Sequence, residues 1–158
     1  MGLSAYGFGK KHRSCILEER KEFDRLHPGA GQAGFYAACE NGNYLLWQLA
    51  QLPEKQLKPY KAQLAEIARR AARRAKGYSA VADSAVTYVA TAYYAHYAAY
   101  AAAAYAVKAA LATKTAYAAY STADYAVYAA LEATATQQKE LELQAKDIHE
   151  LIPVWPGD

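Results

Sequence analysis

The sequence is poor in the residues that usually staple small proteins or fill their cores. Among 158 residues there are three Phe, one Met and two Cys. Cys15 and Cys39 are too few for a disulfide framework, and no second pair suggests a zinc site. The four histidines have no metal-ligand spacing such as His-x-x-x-His. We therefore expect no metal ion and no cofactor.

Targeting and membrane signals are also missing. The glycine-rich N-terminus has no apolar h-region, so we expect no signal peptide. Gly2 invites a myristoylation motif, but Tyr6 stands where that motif requires Ser or Thr. The stretch Ala80–Ala112 suggests a transmembrane span, yet its tyrosines, His96 and Lys108 argue against one. These features predict a soluble, cytoplasmic protein that does not associate with membranes.

Charge is unevenly distributed along the chain. The formal net charge of +3 is too mild to imply nucleic acid as a partner. From Glu54 to Gly77, however, eight Lys and Arg face two Glu, whereas Gln137–Asp158 carries two Lys against five acids. These opposite charges are expected to meet within the molecule.

Alanine and tyrosine dominate the second half, where Tyr78–Ile152 contains neither Gly nor Pro. One helix of that length would measure about 110 Å, which is too long for a small protein, so we expect breaks. Thr and Ser clusters divide the region into helices over about 79–112, 115–135 and 137–152. The last two helices could alternatively be continuous. The predicted fold is an all-α antiparallel helical bundle with an Ala/Tyr-rich C-terminal half.

Gly and Pro residues mark the predicted helix ends in the first half of the chain. Amphipathic spacing predicts a helix over Arg13–Leu26, and Gly42 suits a left-handed C-cap. A longer helix is expected to end at Gly77, with basic residues in its last turns. The chain is thus expected to form one helical domain, 1–158. Its parts are a flexible arm at 1–12, N-terminal helices at 13–77, Ala/Tyr-rich helices at 78–152 and a tail at 153–158.

Helical periodicity within the Ala/Tyr-rich half predicts packing seams. One seam contains Tyr93, Tyr97, Tyr100, Ala104, Val107 and Leu111, and a second contains Tyr117, Tyr120, Asp124, Val127 and Leu131. Alanines beside the seams allow close helix approach, with the tyrosine rings filling the gaps. Tyr93 and Tyr97 could instead form an aromatic platform for bases or a small ligand, although core packing is the simpler interpretation.

The main candidate binding residues are Arg69, Arg70, Arg73 and Arg74. They form two i, i+4 stripes, and guanidinium groups bind phosphate or carboxylate bidentately. The alternative is a helix end that pairs internally with Glu140, Glu142 and Asp147. Trp155 is a further candidate, as a pin for the tail or as an exposed anchor for a partner. No catalytic residues are predicted, because no nucleophile is paired with a base at readable spacing.

The segment Ala38–Leu49, ACENGNYLLWQL, resembles a pattern in a family of immunity proteins from bacterial polymorphic toxin systems. Those proteins also carry an arginine-rich helix followed by Ala and Tyr runs, as Arg69–Tyr128 does here, and end in a helix before a Pro/Trp tail similar to Ile148–Trp155. Asn43 stands where the family has an acid. The resemblance implies a bacterial or phage protein that binds and blocks a toxin, and it brings no catalytic residues.

The leading hypothesis is therefore a non-enzymatic inhibitor that occludes the active site of a protein partner. Because the strongest charged feature is basic, such a partner is expected to carry an acidic patch. A second hypothesis is a module that sequesters a phosphorylated small molecule between the arginines and tyrosine hydroxyls. A third is a self-assembling helical structural protein, in which alanine-seamed helices pack between copies.

Overall fold

The computed structural model describes residues 2–84, 102, 115–134 and 137–157. Its helices are α1 (Ala5–Lys11), α2 (Leu17–Leu26), α3 (Gly31–Ala38), α4 (Gly42–Ala50), α5 (Glu54–Leu57), α6 (Lys61–Ser84), α7 (Thr115–Thr134) and α8 (Gln137–Leu151). A short 3-10 helix, Lys58–Tyr60, joins α5 to α6. The described residues contain no strand. The predicted all-α helical bundle is confirmed.

The main core lies where α4, α6, α7 and α8 meet. It consists mainly of leucine and isoleucine side chains, and Phe8 and Trp155 pack against them. A small separate cluster of Ala5, Ile16 and Phe35 joins α1 to α3. Aliphatic residues, scarce as they are, are thus concentrated at one place, which leaves α1 to α3 to be held largely by polar contacts and aromatic rings.

Alanine lines the contact between α6 and α7. Ala71 and Ala75 of α6 are fully buried in one cluster with Ala126 and Ala129 of α7. Small side chains let helix axes approach closely, and Ala also favours the helical conformation.

Of the second predicted seam, Val127 is buried, whereas Tyr120 and Asp124 are half-buried. The fully buried positions of α7 are alanines and Thr122. The first predicted seam and the side chains of Tyr117 and Leu131 lie outside the described residues.

The prediction of a flexible arm over residues 1–12 is wrong, because Ala5–Lys11 forms α1. The Ser4 hydroxyl accepts a hydrogen bond from the Gly7 amide, which caps the helix. The Asp24 carboxylate accepts bonds from the Ala5 and Tyr6 amides at 3.0 and 2.9 Å. Phe8 then enters the core, 5% exposed.

Both glycine caps predicted from the sequence are also wrong. Gly42 does not end a helix; it begins α4, where the Asn41 side chain caps the Tyr44 amide. A Cβ at Gly42 would lie 2.1 Å from Gln144 Cβ, so close packing against α8 requires glycine there. Gly77 lies inside α6. The helix continues because the next residue, Tyr78, is tied to α8 through its hydroxyl group.

Candidate functional site

The four arginines of α6 are divided between two environments. Arg70 and Arg74 face α8. Arg70 Nη1 lies 3.0 Å from Asp147 Oδ1, and Arg70 Nη2 lies 3.2 Å from Glu150 Oε1. Arg74 binds the other Asp147 oxygen at 2.7 Å and Glu140 Oε2 at 2.9 Å. These pairs run antiparallel along α6 and α8 and join the two helices.

Glu140 is the centre of this junction, since its side chain is fully buried. Besides Arg74, it accepts hydrogen bonds from the Tyr78 hydroxyl at 2.6 Å and from Gln144 Nε2 at 2.9 Å. Burial and the bond to Glu140 raise the pKa of Tyr78. Burial opposes the charge of Arg74, but its bonds to Glu140 and Asp147 prevail and raise its pKa. Three donors, from Arg74, Tyr78 and Gln144, thus converge on one buried carboxylate.

Arg69 and Arg73 point outward instead. Their side chains are 51% and 65% exposed. Both donate to Glu66, with Arg69 Nε 2.9 Å from Oε2 and Arg73 Nη2 3.1 Å from Oε1. The bond from Arg69, followed by those from Arg73 and Arg70, lowers the pKa of Glu66. Lys76 is exposed one turn further along the helix.

We call Glu66, Arg69, Arg73 and Lys76 the outer face of α6. Three positive charges there stand against one negative charge, so the face has a net charge of +2. The carboxylates of α8 do not offset it, because Asp147, Glu140 and Glu150 bind Arg70 and Arg74. This face can bind an anionic group without dismantling the junction with α8.

The internal partners predicted for the arginines are only partly right. Glu140 and Asp147 do bind them, whereas Glu142 accepts a hydrogen bond from Gln138 at 3.0 Å. The sequence interpretation missed Glu66 and Glu150. Glu66 could have been found from its i, i+3 and i, i+4 spacing to Arg69 and Arg70, and Glu150 from its i, i+3 spacing to Asp147.

Of the remaining candidates, Trp155 is 6% exposed and is not an exposed anchor. Its ring centroid lies 5.5 Å from that of Phe8 and 5.3 Å from that of Tyr36. The Tyr36 hydroxyl donates to the Ile152 carbonyl oxygen at 2.8 Å. Trp155 thus pins the tail to the core. Tyr93 and Tyr97 lie outside the described residues.

Among the described residues, no histidine is hydrogen-bonded to the Cys39 thiol. Its thiol donates to the Asn41 carbonyl oxygen at 3.6 Å, and burial raises its pKa. His149 Nε2 lies 3.0 Å from the Cys39 carbonyl oxygen, so its polar contact is with the main chain. No three His, Cys, Asp or Glu side chains in the described part of the chain are grouped to hold a metal ion.

A buried cation that the sequence interpretation missed lies on α2. Arg20 is fully buried, and its guanidinium carbon lies 4.4 Å from the centroid of the Phe35 ring. It donates to Ser14 Oγ, the Ala5 carbonyl oxygen and Gln32 Oε1, at 3.2, 3.2 and 2.8 Å. Burial lowers the pKa of Arg20 to about 10. The signal was its spacing of i, i+4 from Ile16, on the apolar side of the helix.

Within the described ranges no helix is both long and apolar enough to cross a bilayer. No family model, curated protein or solved structure matches the chain.

Proposed function

We propose that this protein is a non-enzymatic inhibitor, an immunity protein that binds an acidic surface of a toxin through the outer face of α6. The single observation that carries the proposal is the division of the arginine cluster. Arg70 and Arg74 hold α8, while Arg69 and Arg73 remain exposed beside Glu66, a carboxylate that Arg70 Nε also contacts at 3.3 Å. Exposed guanidiniums bind carboxylate groups bidentately and are frequent hot spots in protein interfaces.

The junction between α6 and α8 supports this role because it makes the face rigid. Arg70, Arg74 and Tyr78 fix the inner side of α6 along more than two turns. Glu66 then holds Arg69 and Arg73 next to each other. A side chain that is ordered before binding loses less entropy when the complex forms. An occluding inhibitor benefits from such a preorganised surface.

The phosphate-sequestering alternative has less support. A phosphate placed on the Arg70 and Arg74 stripe would have to displace Asp147, Glu140 and Glu150. The displaced carboxylates include Glu140, which is fully buried and would lose its counter-charge. Of the four arginines of α6, Arg69 and Arg73 are the two that an anion can reach without displacing a carboxylate of α8.

The test uses a protein partner purified from an extract of the native host on the immobilised chain, followed by calorimetric titration. We expect Arg69→Ala with Arg73→Ala to weaken binding by about tenfold or more, since each arginine hot spot contributes about 1 kcal/mol or more. The matched control is Lys10→Ala with Lys11→Ala, which removes two exposed cations from α1. It should leave the affinity unchanged.

Equal affinity for the wild type and the Arg69/Arg73 variant would contradict the proposal. A nucleotide or other phosphorylated small molecule in the eluate, without a stoichiometric protein, would favour the sequestering module. Concentration-dependent mass of the protein alone would favour self-assembly.

A further inference from the structure

A cleft of about 530 Å³ lies between the N-terminal residues 2–4 and the turn that leads into α3. Its volume is within the range of small-molecule binding sites. It is located among α1, α2 and α3, away from the outer face of α6. Its walls include Leu3, Ser4, Asp24, Ala30, Gln32 and Ala33.

Backbone geometry holds the two walls of the cleft together. The Gln32 amide donates to the Leu3 carbonyl oxygen at 3.0 Å, which ties the N-terminal segment to the start of α3. The turn that forms the opposite wall uses two glycines with positive φ, 86° at Gly29 and 61° at Gly31. Glycine adopts this conformation without steric cost, so the chain can turn on both sides of Ala30 and form this wall of the cleft.

Asp24 is the only ionisable side chain among the residues that line the cleft. Its two oxygens accept one backbone hydrogen bond each, from Ala5 and Tyr6. Each carboxylate oxygen has two lone pairs, which leaves acceptor capacity on both. None of the ion pairs within the described ranges includes Asp24.

The nearest buried cation, Arg20, lies one turn before Asp24. Burial lowers the pKa of Arg20, and the Asp24 carboxylate partly offsets that lowering. The Arg20 guanidinium nevertheless donates to Ser14, Ala5 and Gln32, does not bond to Asp24 and does not line the cleft. A molecule in the cleft therefore meets the carboxylate directly. The apolar walls, Leu3, Ala30 and Ala33, suit a hydrocarbon stem next to that charge.

We propose that this cleft binds an organic cation, an ammonium or guanidinium group on a short aliphatic stem, with Asp24 as its counter-ion. The chemistry has two sources. One is a free small amine or guanidine, and the other is a Lys or Arg side chain of a protein partner. Both place a positive group against Asp24 and methylene groups against Leu3 and Ala30.

The experiment is an NMR titration of the full chain labelled with ¹⁵N, with butylguanidinium as the probe and butylurea as its neutral isostere. Butylguanidinium should give saturable shifts at the amides of Leu3 and residues 29–33, with a millimolar dissociation constant, as expected of so small a ligand. Butylurea should bind about tenfold more weakly, because it lacks the charge that Asp24 pairs.

Two variants locate the probe. Asp24→Asn should weaken the binding of butylguanidinium by about tenfold and leave the affinity for butylurea unchanged. Because Asp24 also accepts two bonds from α1, its loss could loosen that helix, so Ala30→Leu provides a second variant. It keeps Asp24 and fills the cleft, and it should abolish binding of both probes. Equal binding of the two probes, or no saturable shift with butylguanidinium, would overturn the proposal.

The affinity of the Asp24→Asn variant for the protein partner of the previous subsection distinguishes the two sources of the cation. If Asp24→Asn weakens that complex as well as butylguanidinium binding, the cleft receives a side chain of the partner. If Asp24→Asn weakens only butylguanidinium binding, the cleft serves a free small cation. The Arg69 and Arg73 variant tests the inhibitor role separately, since it leaves the cleft intact.

Discussion

Two arginines, the fully buried Arg20 and the half-buried Arg74, are stabilised in opposite ways. Arg74 lies between carboxylates, with Glu140 and Asp147 within 3 Å of its nitrogens. Arg20 has no carboxylate in hydrogen-bond contact; it donates to neutral oxygens and lies against the rings of Phe8, Phe35 and Trp47. Burial lowers the pKa of Arg20, whereas the carboxylates outweigh burial and raise the pKa of Arg74.

The difference shows how the two halves of the molecule are held. The α6–α8 junction depends on full charges that balance one another, so removing one partner leaves another charge buried. The α1–α3 region depends on ring faces and amide oxygens around one cation. Within the described part of the chain, each arrangement leaves one guanidinium nitrogen without a hydrogen-bond partner, Arg74 Nη2 at the junction and Arg20 Nη2 in the α1–α3 region. The first arrangement is sensitive to changes of charge, and the second is more sensitive to changes of shape.

The largest effect expected from this comparison is that of Arg74→Met, about 3–5 kcal/mol of unfolding free energy, because the fully buried Glu140 would lose its cation, whereas Asp147 would keep Arg70. Arg20→Met should cost less, about 1–2 kcal/mol, because it removes a desolvated charge together with three hydrogen bonds to neutral acceptors. Urea unfolding followed by circular dichroism measures both values.

Methionine is the matched substitution at both positions, since it keeps an unbranched apolar stem and removes the charge. Equal losses at the two positions, or a larger loss at position 20, would show that ring faces and neutral oxygens stabilise a guanidinium at least as well as carboxylates do.

A smaller contrast concerns two glycines within these helices. Gly42→Ala should destabilise the protein by about 1–3 kcal/mol, because the new Cβ would clash with Gln144 and with the backbone of α8. Gly77→Ala should stabilise it by about 0.5–1 kcal/mol, because a Cβ there meets no atom within 4 Å and alanine favours the helix interior. Thermal unfolding of the two variants measures the difference. Stabilisation by Gly42→Ala would show that α4 and α8 are not in close contact.

The sequence predicted the helices that composition and side-chain capping define. Helices expected at 115–135 and 137–152 occur at Thr115–Thr134 and Gln137–Leu151. Local signals failed where a distant contact decides the outcome. Gly77 resembles a helix end until Tyr78 is seen to bind Glu140, 62 residues away. Residues 1–12 resemble a loose arm until Asp24 is seen to cap α1.

In the candidate site, too, the sequence predicted what depends on local spacing and missed what depends on distant contacts. Spacing along one helix identified the arginines, and composition identified Glu140 and Asp147 as acids available to them. Which arginine takes which acid depends on how α6 is rotated against α8, and the spacing of residues within either helix alone does not determine that rotation. Arg20 shows the same limit, since its charge is typical of a solvated helix face and only its neighbours place it in the core.

The most direct test of the division of the arginine cluster is urea unfolding of two double variants, Arg70→Ala with Arg74→Ala and Arg69→Ala with Arg73→Ala. The first should lose about 3 kcal/mol or more of unfolding free energy, because it leaves the buried Glu140 without its cation. The second should lose about 1 kcal/mol or less, as exposed ion pairs contribute little. Equal losses, or a larger loss in the second variant, would contradict the assignment of one pair to the fold and the other to the surface.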